Sequence, residues 1–255
     1  MVVNKKIYIE LLTSRPLTSR EDGNQILKLW ERCLPSYLPD QIGNWEPIDQ
    51  IFDLAERERL LDRWRWPFFA VKRKPRMDSQ IFMRKGNMLQ HATWMMSFDF
   101  SENHLEEIQQ FVIEAAKFLE ADFGCMMLLT ETEVEAGRKN GTVHPLDKKA
   151  TRFNFIIPSN LLQKYIPDVY WMTILGAPYV EMFGRSKLLS APVHRAEAIG
   201  ESIVMFQLTP TIKDGSADPA RHGEAKVQLK TFLGENAFFK SGINQECIHP
   251  EFVWR

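Results

Sequence analysis

Strand-like and helix-like segments follow one another in blocks along this chain. Residues 6–12 have the pattern of an opening strand, and three more strand patterns lie within residues 66–98, separated by turn-forming stretches at 74–79 and 85–87. A long helix pattern, with apolar residues every three or four positions, then follows Ser101. A doubly wound parallel sheet would instead alternate strands and helices one by one. The order therefore predicts an α+β fold in which antiparallel sheets pack against amphipathic helices.

Local capping signals set the boundaries of the other predicted elements. Thr18 or Ser19 can cap a helix that ends at Leu34 before Pro35, and Gly234 can end the last helix. The remaining predictions are helices at 49–64, 159–165, 180–189 with a break near Gly184, and 219–233, and strands at 125–130, 151–157, 192–196 and 202–209.

The chain is predicted to form one domain spanning residues 1–255. A subdivision near residue 158 would separate two halves that resemble each other weakly, since each ends in strands followed by an amphipathic helix, as an old duplication would produce. Trp45 is a candidate anchor for an ordered loop at 39–47. The tail at 247–254 is apolar enough to dock against the rest of the chain.

Composition and charge exclude several classes of protein. Of the 255 residues, 44% are hydrophobic, so the chain can bury a large core. The formal net charge of -1 lacks the basic excess expected of a nucleic-acid-binding domain. The N-terminal apolar stretch reaches only Leu12, too short for a signal peptide, and no later stretch approaches the roughly 20 residues of a membrane helix. We therefore expect a soluble, cytoplasmic protein that binds neither nucleic acid nor membrane.

The side chains that usually carry chemistry are scattered. No two of the six histidines lie three or four residues apart, and the three cysteines lack CxxC spacing, so neither a metal site nor a disulfide is predicted. The motifs GxSxG, GxxxxGK[ST] and GxGxxG are absent. Cys125 lies in an apolar run, where burial would raise the thiol pKa and make it a poor nucleophile. These features predict no catalytic residue, no metal and no cofactor.

Two charged segments are candidates for binding a partner. Residues 57–76 mix basic and aromatic residues, as a nucleic-acid surface does, but interspersed acidic residues and the near-zero net charge favour a solvated helix face. Glu131, Glu133 and Glu135 alternate directly after an apolar strand pattern, so an extended segment would place their carboxylates on one side. Such a row could meet a basic protein surface, or could simply protect a strand edge from aggregation. We predict these three glutamates as partner-binding residues.

Other functions remain open at this point. A small metal-dependent hydrolase or nuclease with a dispersed site would use Glu131, Glu133, His144 and Asp147. A nucleic-acid-binding module would centre on 57–76 and bind DNA in a salt-sensitive way. Seven tryptophans are more than a core of this size requires, and aromatic residues often serve as interface anchors, but most of the seven are expected in the core.

The stretch from Tyr170 to Pro192 resembles the signature region of the bacterial immunity protein 52 family. It contains the uninterrupted run LGAPYVEMFGRSKLLSAP, in which Gly176 and Gly184 are predicted to supply backbone freedom. Supporting similarities, at 39–47 with the sequence GNWEP, at 204–209 and at 229–239, extend the resemblance over nearly the whole chain.

The resemblance implies a non-enzymatic immunity protein that binds a toxin encoded beside it. The family is paired with polymorphic toxins that include type VI secretion effectors, some of them restriction-endonuclease-like domains that degrade DNA. The expected partner is therefore a cognate toxin, a nuclease effector, neutralised by covering its active site or by holding it in an inactive shape. The resemblance assigns no toxin contact to a particular residue, and it leaves the oligomeric state open.

Overall fold

Antiparallel strands dominate the architecture. The computed structural model describes residues 6–145, 153–240 and 247–254. The strands are β1 (Lys6–Thr13), β2 (Gln41–Gly43), β3 (Gln50–Ile51), β4 (Phe68–Lys72), β5 (Met77–Phe82), β6 (Ala92–Asp99), β7 (Phe123–Leu128), β8 (Val143–Pro145), β9 (Phe153–Phe155), β10 (Met172–Leu175), β11 (Arg195–Ala198) and β12 (Val204–Gln207). The helices are α1 (Arg20–Cys33), α2 (Arg57–Leu61), α3 (Leu105–Leu119), α4 (Glu131–Asn140), α5 (Ser159–Leu162), α6 (Ala177–Phe183), α7 (Arg185–Leu189), α8 (Asp214–Ala217) and α9 (Pro219–Leu233).

Within the described ranges, ten strands form one sheet in the order β11-β12-β10-β7-β1-β6-β5-β4-β2-β3, and β8 pairs with β9 separately. Every pair of neighbouring strands in the ten-stranded sheet is antiparallel. The predicted α+β class with antiparallel sheets is confirmed. Because β10 pairs with β7, one sheet joins the strands that precede residue 158 to those that follow it.

The capping signals placed several helix ends correctly. The Ser19 hydroxyl accepts a hydrogen bond from the Asp22 amide, and the Asp22 carboxylate accepts one from the Ser19 amide, which fixes the start of α1. Helix α9 spans the predicted residues and ends at Gly234, whose φ of +117° suits glycine. Gly184, with a φ of +84°, separates α6 from α7 as predicted.

Helices α1 and α3 cover one face of the sheet. Ile7, Ile9 and Leu11 of β1 point towards these helices, with the period of two that a strand imposes. The indole ring of Trp94 in β6 lies between Trp30 of α1 and Phe111 of α3, with centroid separations of 5.5 and 5.3 Å. All three rings are buried, so these edge-to-face contacts form the centre of this core.

A second core covers part of the opposite face. Leu12 of β1 and Phe123 and Cys125 of β7 are fully buried there. Leu229 of α9 and Tyr179 of α6 belong to the same core, which also contains residues of β9 and β12. Among the described helices, none is both long and apolar enough to cross a membrane.

The segment at 49–64 does not form the single helix that was predicted. It contains the short strand β3, a 3-10 turn at 54–56 and only then α2. The backbone amide of Phe52 donates to the carbonyl of Asp40, and the Asp53 carboxylate accepts from the Ala55 amide. The first bond holds the segment beside β2 and the second caps the 3-10 turn, so the helix begins only at Arg57.

Candidate functional site

The outward side of β4, β5 and β6 remains partly exposed. Inward and outward residues alternate along these strands, and the inward ones are buried beneath α1 and α3. Phe69 lies opposite Gln80, which in turn lies opposite Met95, so these three side chains share the outward row. All three are only partly buried, in contrast to the second core beyond β1. This part of the sheet therefore presents side chains to solvent.

Aromatic rings lie at the end of this surface where β4 begins and β5 ends. Trp45 is 66% exposed and Trp66 is 42% exposed, and their ring centroids lie 6.0 Å apart. Trp66 also contacts Phe82 at 6.4 Å, Phe82 contacts Phe69 at 6.2 Å, and the Lys85 ammonium lies 5.5 Å from the centre of a Trp66 ring. We call the surface formed by these five residues the aromatic face. Exposed tryptophans next to a cation have the composition of a protein-binding hot spot.

A buried amide holds the two tryptophans together. The Asn44 side-chain nitrogen lies 3.1, 3.1 and 2.7 Å from the carbonyl oxygens of Arg63, Arg65 and Pro67. These contacts fasten the loop after β2 to the segment before β4. The prediction that Trp45 anchors this loop was wrong, because Asn44 is the buried residue and Trp45 points to solvent.

The three glutamates predicted as a partner-binding row do not form an extended segment. They lie in the first turns of α4, because Thr130 caps this helix by accepting a hydrogen bond from the Glu133 amide at 3.2 Å. Glu131 and Glu135 are exposed, whereas Glu133 is buried. The predicted single-sided row is therefore wrong, since a helix separates alternating residues. The spacing of Thr130 and Glu133 is a helix-start signal that the sequence contained.

Glu133 belongs to a buried ion-pair network that joins α4 to α9. The Lys226 ammonium lies 2.8 Å from the Glu133 carboxylate and 3.0 Å from that of Asp168. Lys230 lies 2.5 Å from Asp168, and His222 Nε2 lies 3.4 Å from Glu133. Burial alone would raise the pKa of Asp168, but Lys226 and Lys230 lower it to about 2. Glu133, Asp168 and Lys226 keep their charges in this network, which holds the two helices together through the Glu133 carboxylate.

Other titratable groups that a catalytic site could use are buried in unsuitable surroundings. Burial raises the pKa of the Cys125 thiol, as the apolar sequence predicted, and makes this thiol a poor nucleophile. Burial also raises the pKa of the Glu10 carboxyl, whose oxygens both lie within 3.1 Å of the Ile157 amide nitrogen. The described parts of the chain contain no group of three His, Cys, Asp or Glu residues that could hold a metal ion.

The four residues proposed for the hydrolase alternative are not in one common environment. Glu131 and His144 are exposed, and Glu133 is paired with Lys226. Asp147 lies outside the described residues. The four side chains are therefore not shown together as a site.

Sequence reasoning missed a buried contact around His91. Its Nδ1 atom lies 3.0 Å from the Ser159 hydroxyl, and its Nε2 atom lies 3.6 Å from the Asp122 carboxylate. Burial, with a smaller contribution from Arg84, lowers the pKa of His91 to about 3, so the ring is a weak base. Ser159 and Asp122 lie 68 and 31 positions from His91 in the sequence, so no local pattern could have predicted these contacts.

The C-terminal tail packs against the same imidazole. The rings of Phe252 and Trp254 lie 4.6 and 4.9 Å from that of His91, and Phe252 also contacts Tyr179 of α6 at 6.1 Å. The predicted docking of the tail is confirmed. With its ring enclosed by aromatic side chains, His91 positions the tail and is poorly placed to accept a proton.

The described residues define an α+β protein whose ten-stranded antiparallel sheet leaves part of one face exposed. No family model matches the chain, and no curated protein matches it. Among solved structures, the fold is similar to that of the Pseudomonas aeruginosa T6SS protein PA0821, a protein of the type VI secretion system, with a TM-score of 0.55. The similarity covers 94% of this chain and 77% of that chain at 16% sequence identity. At this identity the likeness shows a shared fold.

Proposed function

We propose that this chain is an immunity protein that binds a cognate toxin of a type VI secretion system in the cytoplasm and neutralises it. The aromatic face carries this proposal, because it exposes two tryptophans on a sheet surface where the described residues provide no full cover. The resemblance of residues 170–192 to the immunity protein 52 family and the fold shared with a T6SS protein agree with it.

Binding rather than catalysis is the proposed mode of action. The Cys125 thiol is buried and its pKa is raised. The His91 imidazole is enclosed and its pKa is lowered. Glu133 is held in a network of opposite charges. A rigid sheet that displays aromatic side chains is suited to cover a partner's surface, since its backbone needs little ordering when the complex forms.

The experiment is co-expression with the product of the neighbouring gene. We expect the wild-type chain to co-purify with that product and to restore growth of cells that produce it. Replacing Trp45 and Trp66 by alanine should abolish both effects, because aromatic anchors contribute much of the binding energy of an interface. The proposal fails if the wild-type chain neither co-purifies with the toxin nor protects the cells.

A second double variant tests the glutamate prediction. Glu131→Gln with Glu135→Gln removes the two exposed carboxylates of α4 and keeps similar side-chain shapes. Loss of protection in this variant, with the tryptophan variant still active, would move the interface from the aromatic face to α4. Until then, Glu131, Glu133 and Glu135 stay a prediction as partner-binding residues.

A further inference from the structure

Positive charge is concentrated in the sequence segment that supplies most of the aromatic face. Residues 63–98 contain eight Lys or Arg residues and one acidic residue, Asp78, a surplus of seven positive charges. Because the whole chain has a net charge of -1, the other residues carry a surplus of eight negative charges. The near-zero net charge is therefore the sum of a positive segment at 63–98 and a negative remainder of the chain.

The cations beside the tryptophans are not neutralised by carboxylates of the described residues. Lys85 contacts a Trp66 ring, and the Arg65 guanidinium donates to the Asn44 side-chain oxygen at 3.3 Å. In contrast, Lys72 and Arg76 of the same segment lie 3.6 Å from Asp40 and 3.2 Å from Asp78. The positive charge near Trp45 and Trp66 is thus available to a partner.

Resting on the proposed function, we infer that the aromatic face takes an acidic surface of the protein partner. Apolar side chains of the partner pack on Trp45 and Trp66, and its carboxylates approach Lys85 and Arg65. The charge complementarity steers association, while burial of the rings supplies most of the affinity. A nuclease toxin would accordingly be bound outside the basic surface that holds its nucleic acid.

The ring geometry favours a protein over single-stranded nucleic acid as the occupant. Trp45 and Trp66 meet at an interplanar angle of 77°, and Phe69 and Phe82 meet at 89°. Successive bases stack on aromatic faces, and rings turned edge to face do not offer them a continuous row. Partly exposed Met95 on the same side of the sheet adds an aliphatic contact that suits a protein side chain.

The test measures binding of the full chain to the purified product of the neighbouring gene at low and high ionic strength. We expect Lys85→Glu to weaken binding about tenfold at low ionic strength, and the difference from wild type to shrink at high ionic strength as salt screens the charges. Lys85→Arg should bind like wild type. The matched control is Lys28→Glu, an exposed charge reversal on α1, which should leave binding unchanged.

Each other outcome overturns the inference in a recognisable way. If wild type binds and Lys85→Glu binds as well as Lys28→Glu, the partner uses another surface and the proposed function stands. If wild type does not bind, the proposed function fails as well. Binding of a fluorescent oligothymidylate that Lys85→Glu abolishes would assign the face to nucleic acid. A concentration-dependent wild-type dimer that Lys85→Glu dissociates would assign it to a second copy of the chain.

Discussion

Gly176 is a glycine because the backbone of a neighbouring segment occupies the place of a side chain. A Cβ atom there would lie 2.0 Å from the Ala121 carbonyl oxygen and 2.8 Å from the Asp122 Cα atom. Its φ of -85° and ψ of -169° are open to most residues, so the prediction that Gly176 supplies backbone freedom was wrong. The same prediction for Gly184 is confirmed by its positive φ.

Replacing Gly176 by alanine should therefore destabilise the protein by about 1–3 kcal/mol or more, because the clash is with backbone that cannot rotate away. Urea unfolding followed by circular dichroism measures the change. The control is Gly223→Ala in α9, where a Cβ would meet no atom within 4 Å and where alanine should stabilise the helix by about 0.5–1 kcal/mol. Equal stability of Gly176→Ala and wild type would contradict the close approach.

His91 makes stability depend on pH in the acid range. Its pKa is lowered to about 3 in the folded chain, so the folded state favours the neutral ring. The stabilisation is complete above the unfolded pKa of about 6.5 and is lost as pH falls towards 3, at about 1.4 kcal/mol per pH unit. We expect His91→Asn, which keeps a polar atom near Ser159, to reduce this slope in unfolding experiments between pH 6.5 and 3. A slope identical to that of wild type would show that His91 is not buried in its neutral form.

At the scale of elements, the sequence could predict helix boundaries that depend on capping residues close to them in the chain. The start of α1 and the end of α9 follow from Ser19, Asp22 and Gly234, which act within a few residues. Helix α4 was missed because an apolar strand and alternating glutamates satisfy a strand pattern until Thr130 is recognised as a cap. The aromatic face could not be predicted, because it depends on which strands pair and on contacts that Asn44 makes with residues about twenty positions away.

The ion-pair network between α4 and α9 gives a test at the same scale. Lys226→Met removes the cation that both Glu133 and Asp168 need and leaves buried negative charge, which should cost about 3–5 kcal/mol in the free energy of unfolding. Lys139→Met is the matched control, because its ammonium pairs with Glu135 in an exposed position and contributes little. A similar loss in both variants would show that the network is not shielded from water.

For the whole molecule, the sheet combines a covered part that supplies stability with an exposed part that is available for binding. Both cores are built on the strands around β1 and β7, where each face packs against other elements. Towards β4 and β5 only one face is packed, and residues 63–98 carry a surplus of positive charge. Substitutions on the exposed part should therefore affect partner binding more than folding.

Tryptophan fluorescence can test this division directly. Trp45 and Trp66 are exposed and Trp254 is partly exposed, whereas Trp30, Trp64, Trp94 and Trp171 are at most 8% exposed. Acrylamide should therefore quench mainly Trp45 and Trp66 in the free protein, and replacing both by phenylalanine should remove most of the quenching. Addition of the toxin should protect the wild-type chain from acrylamide and should change the quenching of the double variant little, because the protected rings are absent.

Trp94→Phe is the control, since it removes a buried ring whose indole N–H donates to Ser79. Protection that persists in the double variant would place the interface near another tryptophan, and unchanged wild-type quenching in a proven complex would exclude the aromatic face.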